Sequence, residues 1–154
     1  MHGPRGRRIL VVEGGTMKHI LVGYEEDGLA ERVLERSAEL AKAFGARVTV
    51  ASVTPIPVRF GRGIGPYDPA DPPARHEVEV SRAIARLEQL GVRNVRGAPL
   101  AGDPGDEIVR VARAHGADLI VVGAHHGGVW SRFFERAVDD EVAHHSPVDV
   151  LIVH

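Results

Sequence analysis

The residue types able to do chemistry gather in two short stretches bounded by glycine. Residues 23–28 (GYEEDG) place three carboxylates, Glu25, Glu26 and Asp27, between two glycines, and residues 123–128 (GAHHGG) place His125 and His126 among three. Carboxylates in a row could share a magnesium ion with a phosphate, and glycines let backbone approach one closely. The plainer reading of the acids is that they cap a following helix, whose positive end favours them. The chain has nine histidines, and His125 and His126 with His115, His144 or His145 would offer zinc or nickel ligands if the fold joined them. Adjacent loop side chains point apart and no H-E-x-x-H helix is present, so no metal site is expected. Neither stretch contains a Walker loop, a G-x-G-x-x-G fingerprint or a G-x-S-x-G elbow. No catalytic residue is assigned.

Composition narrows the partners. Lys and Arg number 19 against 21 for Asp and Glu, a formal charge of −2 with no long basic tract. Nucleic acid and anionic lipid are therefore not expected. The absence of cysteine removes thiol nucleophiles, disulfides and cysteine-held metals. The longest apolar runs fall well short of the ~20 residues that cross a bilayer. A chain of 154 residues fits one domain.

Elements that would bring both stretches to one edge are readable from the hydrophobic pattern. Residues 19–24 (HILVGY) form a near-continuous apolar strand. Leu29, Ala30, Val33, Leu34, Ala38, Ala41 and Phe44 recur at helical spacing, with Gly45 as a left-handed stop. A second strand covers residues 47–53. Residues 54–73 hold six prolines and three glycines and read as a long loop. Val80, Ala83, Ile84, Leu87 and Leu90 mark a second helix closed by Gly91, followed by a strand over 95–100. Asp103, Pro104, Asp106 and Glu107 spell the start of a third helix that runs to about residue 115. Residues 118–123 (DLIVVG) are strand. Trp130, Phe133, Phe134, Ala137, Val138 and Val142 stripe a fourth helix, and 148–153 is the last strand. Strict alternation predicts a doubly wound, Rossmann-like α/β fold: an open five-stranded parallel sheet with four helices in a three-layer sandwich. In such sheets ligands sit at the carboxyl ends of the strands, where both glycine-bounded stretches fall.

Residues 18–53, 102–127 (GDPGDEIVRVARAHGADLIVVGAHHG) and 144–154 (HHSPVDVLIVH) together resemble the universal stress protein family, over essentially all of 17–154. Members of that family divide into those that bind ATP and those that do not. The ATP-binding pattern is G-2x-G-9x-G-(S/T). On this chain the first glycine is Gly123, the second position holds His126, the third Arg136 and the hydroxyl position Ala137. Sliding by one makes Gly127 the second glycine but leaves Ala137 and Val138 at the later pair, still without a hydroxyl. The resemblance places the adenine-side carboxylate at Glu25 and the backbone around adenine at Tyr24 and Val53. An arginine forced into a left-handed backbone costs about 1–2 kcal/mol, and a lost charge-assisted hydrogen bond about 1.5–3 kcal/mol. Together these weaken a triphosphate roughly a hundredfold or more. Arg132 and Arg136, four apart on one helix face, could instead offer guanidinium forks to phosphate, or simply be solvated.

The resemblance thus implies a non-enzymatic, cytoplasmic stress-response protein with a degenerate ATP motif, no expected cofactor and an output through association. The alternative is a regulatory member that binds ATP with magnesium and hydrolyses it slowly, with His126 and Arg132 near the phosphates. It also implies a homodimer formed through the C-terminal strand, with Val150 and Ile152 feeding the interface, and leaves room for another protein partner. Residues 1–16 carry +2 and read as an extension before the domain of 17–154. Met17 is an alternative start, because residues 13–15 can be encoded as a ribosome-binding site.

Overall fold

The structure is a computed structural model that describes residues 17–56, 69–124 and 148–154. The expected fourth helix, the extension of residues 1–16, and His125, His126, Gly127, Arg132, Arg136, Ala137 and Val138 lie outside the described residues.

Five strands form one parallel sheet: β1 (His19–Gly23), β2 (Arg47–Pro55), β3 (Val95–Gly102), β4 (Leu119–Gly123) and β5 (Asp149–Val153), ordered β3-β2-β1-β4-β5. Helices α1 (Ala30–Phe44) and α2 (Pro73–Gln89) cover one face and α3 (Pro104–His115) the other. β1 is buried along its whole length, which is why its sequence is apolar rather than alternating. Ile20 and Val22 face α1 and α2, while Leu21 faces α3. Register is continuous from strand to strand: Val22 pairs with Val50 on one side and with Val121 on the other. The chain runs outward from β1 through β2 to β3, and the connection after β3 crosses back past β1 to β4, so the switch point of the sheet lies between the carboxyl ends of β1 and β4.

Local signals explain the helix ends. Gly45 takes a left-handed φ of 66° after α1, and Asp103 accepts the Asp106 N–H at 3.1 Å to cap α3, both as the sequence predicts. Phe44 departs from expectation. It is 52% exposed, because the buried face of α1 ends at Ala41 and Gly45 turns the chain away one residue after Phe44. The expected loop of 54–73 is also shorter at both ends. β2 continues through Thr54 and Pro55, paired with Ala101 and Gly102 of β3, and α2 opens at Pro73, where a missing N–H breaks no helical bond. Among the described residues, no helix is long and apolar enough to cross a membrane.

Candidate functional site

At the carboxyl end of β1 the backbone N–H of Tyr24 bonds to Ala51 O at 2.8 Å, which carries the ladder one residue past the strand. This turns the Tyr24 side chain into the layer of α1 and α2, where it is 7% exposed. Asp27 then accepts the Leu29 N–H at 2.7 Å in an Asx turn before α1, but the N-cap Leu29 carries no side-chain capping bond, so the cap expected of the acids is not made there. Glu26 pairs with Arg82 of α2 at 3.1 Å.

A cavity of about 270 Å³ opens here, between the ends of β1 and β2 and the first turns of α2. Its walls include Tyr24, Glu25 and Val53, the positions that the resemblance gives to the adenine side, and also Ser52, Asp71, Arg75, His76 and Glu79. A smaller pocket shares Tyr24 and Glu25 and reaches Gly123 at the end of β4. The described members of the expected site thus meet at one edge of the sheet: Tyr24, Glu25 and Val53 around the larger cavity, and Gly123 beside the first two.

The wall on the α2 side is a connected polar chain. The Ser52 hydroxyl lies 2.6 Å from His76 Nδ1 and 3.3 Å from Glu79 Oε2. His76 Nε2 lies 2.9 Å from Asp71 Oδ1, and Arg75 Nε donates to Glu79 Oε1 at 3.1 Å. Ser52, His76 and Glu79 are all buried. With Nε2 alone protonated, Ser52 donates to Nδ1 and Glu79 loses the hydroxyl. With both ring nitrogens protonated, the ring donates to Asp71 and Ser52, and Ser52 donates to Glu79. In either arrangement Glu79 keeps its bond from Arg75. Asp71, His76 and Glu79 are joined into the wall by these hydrogen bonds, and among the described residues no group of three or more His, Cys, Asp or Glu is arranged to hold a metal ion. The Tyr24 hydroxyl is pushed up to about 12 by burial and then by the nearby Glu26 and Glu79 charges. It therefore stays a neutral donor across the physiological range.

Sequence reasoning passed over Ser52, Asp71, Arg75, His76 and Glu79. Two signals carry them. Ser52 is a polar residue inside the apolar run of β2, and Arg75, His76 and Glu79 share one face of a helix whose opening is hidden by the prolines before it.

The doubly wound sheet with its crevice at the ends of β1, β2 and β4 defines an α/β sandwich of the kind that binds ligands at the switch point of its strands. Residues 16–154 match the model described as the universal stress protein family, and the chain belongs to that family. It is 28% identical over 142 residues to universal stress protein Rv1636 of Mycobacterium tuberculosis, covering 89% of this chain and 96% of that one. Among solved structures, a universal stress protein in complex with cAMP is 26% identical with a TM-score of 0.66, covering 91% of this chain and 98% of that one. A family protein from Burkholderia pseudomallei is 27% identical with a TM-score of 0.62, covering 91% and 98%.

Proposed function

We infer that this chain is a non-enzymatic stress-response protein of the cytoplasm. Its site takes a purine nucleotide with a short phosphate tail, and its output is association with a second copy or another protein. The observation that carries the reading is the meeting of Tyr24, Glu25 and Val53 around one cavity, with Gly123 in the pocket beside it. That meeting supports a base side kept for a nucleotide, whereas His126, Arg136 and Ala137 replace the residues that hold a triphosphate in the family pattern. A similar protein in complex with cAMP supports a mononucleotide in preference to ATP. The domain is 17–154, and residues 1–16 are an extension to it.

Titration calorimetry with AMP, cAMP and ATP with magnesium tests the reading. The expected result is binding of the monophosphates, weaker binding of ATP and no release of ADP. An ATP dissociation constant at or below about ten micromolar, some 7 kcal/mol of binding, or turnover of ATP, overturns it in favour of the ATP-binding regulatory alternative.

For association, β5 lies at the edge of the sheet, and an apolar edge strand invites pairing. Val150 is partly buried against the α3 side, while Ile152 is 38% exposed and carries the interface. Light scattering of Ile152→Asp is expected to give a monomer-sized particle where the parent gives a dimer. An unchanged dimer removes this strand from the interface.

A further inference from the structure

The geometry points to Ser52 as an activated nucleophile that accepts an acyl group from a short activated ester, with His76 as its general base and Asp71 as the residue that holds the ring. This assignment does not rest on the nucleotide reading above. It concerns the reactivity of one side chain and not the occupant of the crevice.

A serine hydroxyl is a poor nucleophile until a base takes its proton, and the mark of activation is a base within hydrogen-bond reach that a third group orients. All three parts are in place. Ser52 Oγ lies 2.6 Å from His76 Nδ1, and His76 Nε2 lies 2.9 Å from Asp71 Oδ1. A carboxylate only accepts, so Asp71 keeps the proton of the neutral ring on Nε2 and turns the lone pair of Nδ1 toward the hydroxyl. Such triads are recognised by geometry and roles, whichever ring nitrogen faces the serine. Glu79 Oε2, at 3.3 Å, is the more distant acceptor for the same proton, and Arg75 engages its other oxygen. Ser52 is 1% exposed, and the cavity of about 270 Å³ that it lines with His76 and Asp71 is its way to a reagent. Arg75 is the one permanent cation among the described lining residues, and its charge favours the negative charge that develops on an acyl oxygen there.

In the step, Ser52 Oγ bonds to the acyl carbon as the bond from that carbon to the leaving oxygen breaks, and the electron pair of the broken bond departs with the leaving group. The Ser52 proton passes to His76 Nδ1 and from there to the leaving group or to water. The acyl-serine is the end product, so the step requires no turnover.

Treatment of the full chain with p-nitrophenyl acetate tests the assignment, read as release of p-nitrophenolate and by peptide mass mapping. Wild-type protein is expected to release about one equivalent per chain in a burst and to carry an acetyl group on Ser52, apart from any slow acetylation of Lys18 and Lys42. Ser52→Ala is expected to lose the burst. His76→Gln is expected to slow acetylation of Ser52 about a hundredfold or more, the scale of general-base help, with its thermal midpoint recorded to show that it folds. Asp71→Asn is expected to slow it as well, by freeing the ring to turn an N–H toward Ser52, and Asp71→Glu to restore part of the rate. A merely structural Asp71 would leave the rate untouched in both, and this pair carries the comparison if His76→Gln does not melt cooperatively. The assignment falls if the lysines are acetylated while Ser52 is not, or if Ser52 is acetylated equally fast in wild type and His76→Gln. AMP binding by calorimetry is unaffected by either result, so the nucleotide reading stands or falls separately. Release that continues past the burst and needs Ser52 keeps the nucleophile and overturns the non-enzymatic reading instead.

Discussion

Asp118 fastens the first residue of β1: its Oδ2 accepts the backbone N–H of His19 at 2.9 Å and that of Lys18 at 2.7 Å. The bend before β4 and the entry to β1 are thereby locked in register, and these are the two strands whose far ends form the site. Asp118→Ala removes both charge-assisted bonds. Water replaces part of the one to exposed Lys18, so the expected loss is about 1.5–3 kcal/mol in urea denaturation. Asp118→Asn keeps an acceptor and is expected to lose about half as much.

β1 and β4 were legible because each is a near-continuous apolar run, HILVG and LIVVG, and parallel strands covered on both faces demand that pattern. α3 was legible down to its cap, since Asp103, Pro104, Asp106 and Glu107 report chemistry local to one turn. The start of α2 was not. Pro72 and Pro73 look like loop residues, and only their position before Arg75, His76 and Glu79 makes one of them a helix opener. The site divides the same way. Tyr24, Glu25 and Gly123 follow strand ends and could be found from them, whereas the Ser52–His76 contact joins residues 24 apart across a sheet and a helix. Burial of both partners, a tertiary fact, creates it.

Ser52→Ala tests how much that contact holds. The hydroxyl is 2.6 Å from His76 and 3.3 Å from Glu79, and its removal leaves a buried imidazole and a buried carboxylate short of a partner. The expected loss is about 1–3 kcal/mol by chemical denaturation. Glu79→Gln in the same background is expected to be non-additive with it, because the two residues share one network. Strict additivity in that cycle would mean that the chain of bonds does not act as a unit.

Acid sensitivity is expected from His19. Its ring lies 2.8 Å from the Thr49 hydroxyl and 3.3 Å from the His115 carbonyl. Burial, and then the Arg47 charge, hold its pKa below the ordinary histidine value. At pH above the unfolded value of about 6.5 both states are neutral and nothing is lost. As pH falls through that value the unfolded chain takes up a proton that the folded chain refuses, and stability declines until the lower, folded value is reached. Urea midpoints measured from pH 7.5 down to 5.5 are expected to fall more steeply for the parent than for His19→Gln. Equal slopes would show that His19 takes its proton in the folded protein.

Gly97 marks the closest approach of β3 to α2. A methyl group added there would stand 2.5 Å from Val80 Cγ1 and 3.0 Å from Ile84 Cδ1. Val80 is 4% exposed and part of the core, so it has no free space into which to turn. Overpacking of this kind typically costs about 1–3 kcal/mol, and Gly97→Ala is expected to fall in that range. The cause is contact and not backbone conformation, so shortening the neighbour should relieve it. Gly97→Ala combined with Val80→Ala is expected to be more stable than the sum of the two single losses predicts. Because α2 carries Arg75, His76 and Glu79 into the cavity wall, Gly97→Ala is also expected to weaken AMP binding more than its distance from the cavity would imply. The double variant should recover part of that affinity in the same calorimetric titration. Recovery of stability without recovery of affinity would show that the seat of α2 on β3 and the shape of the cavity are set independently.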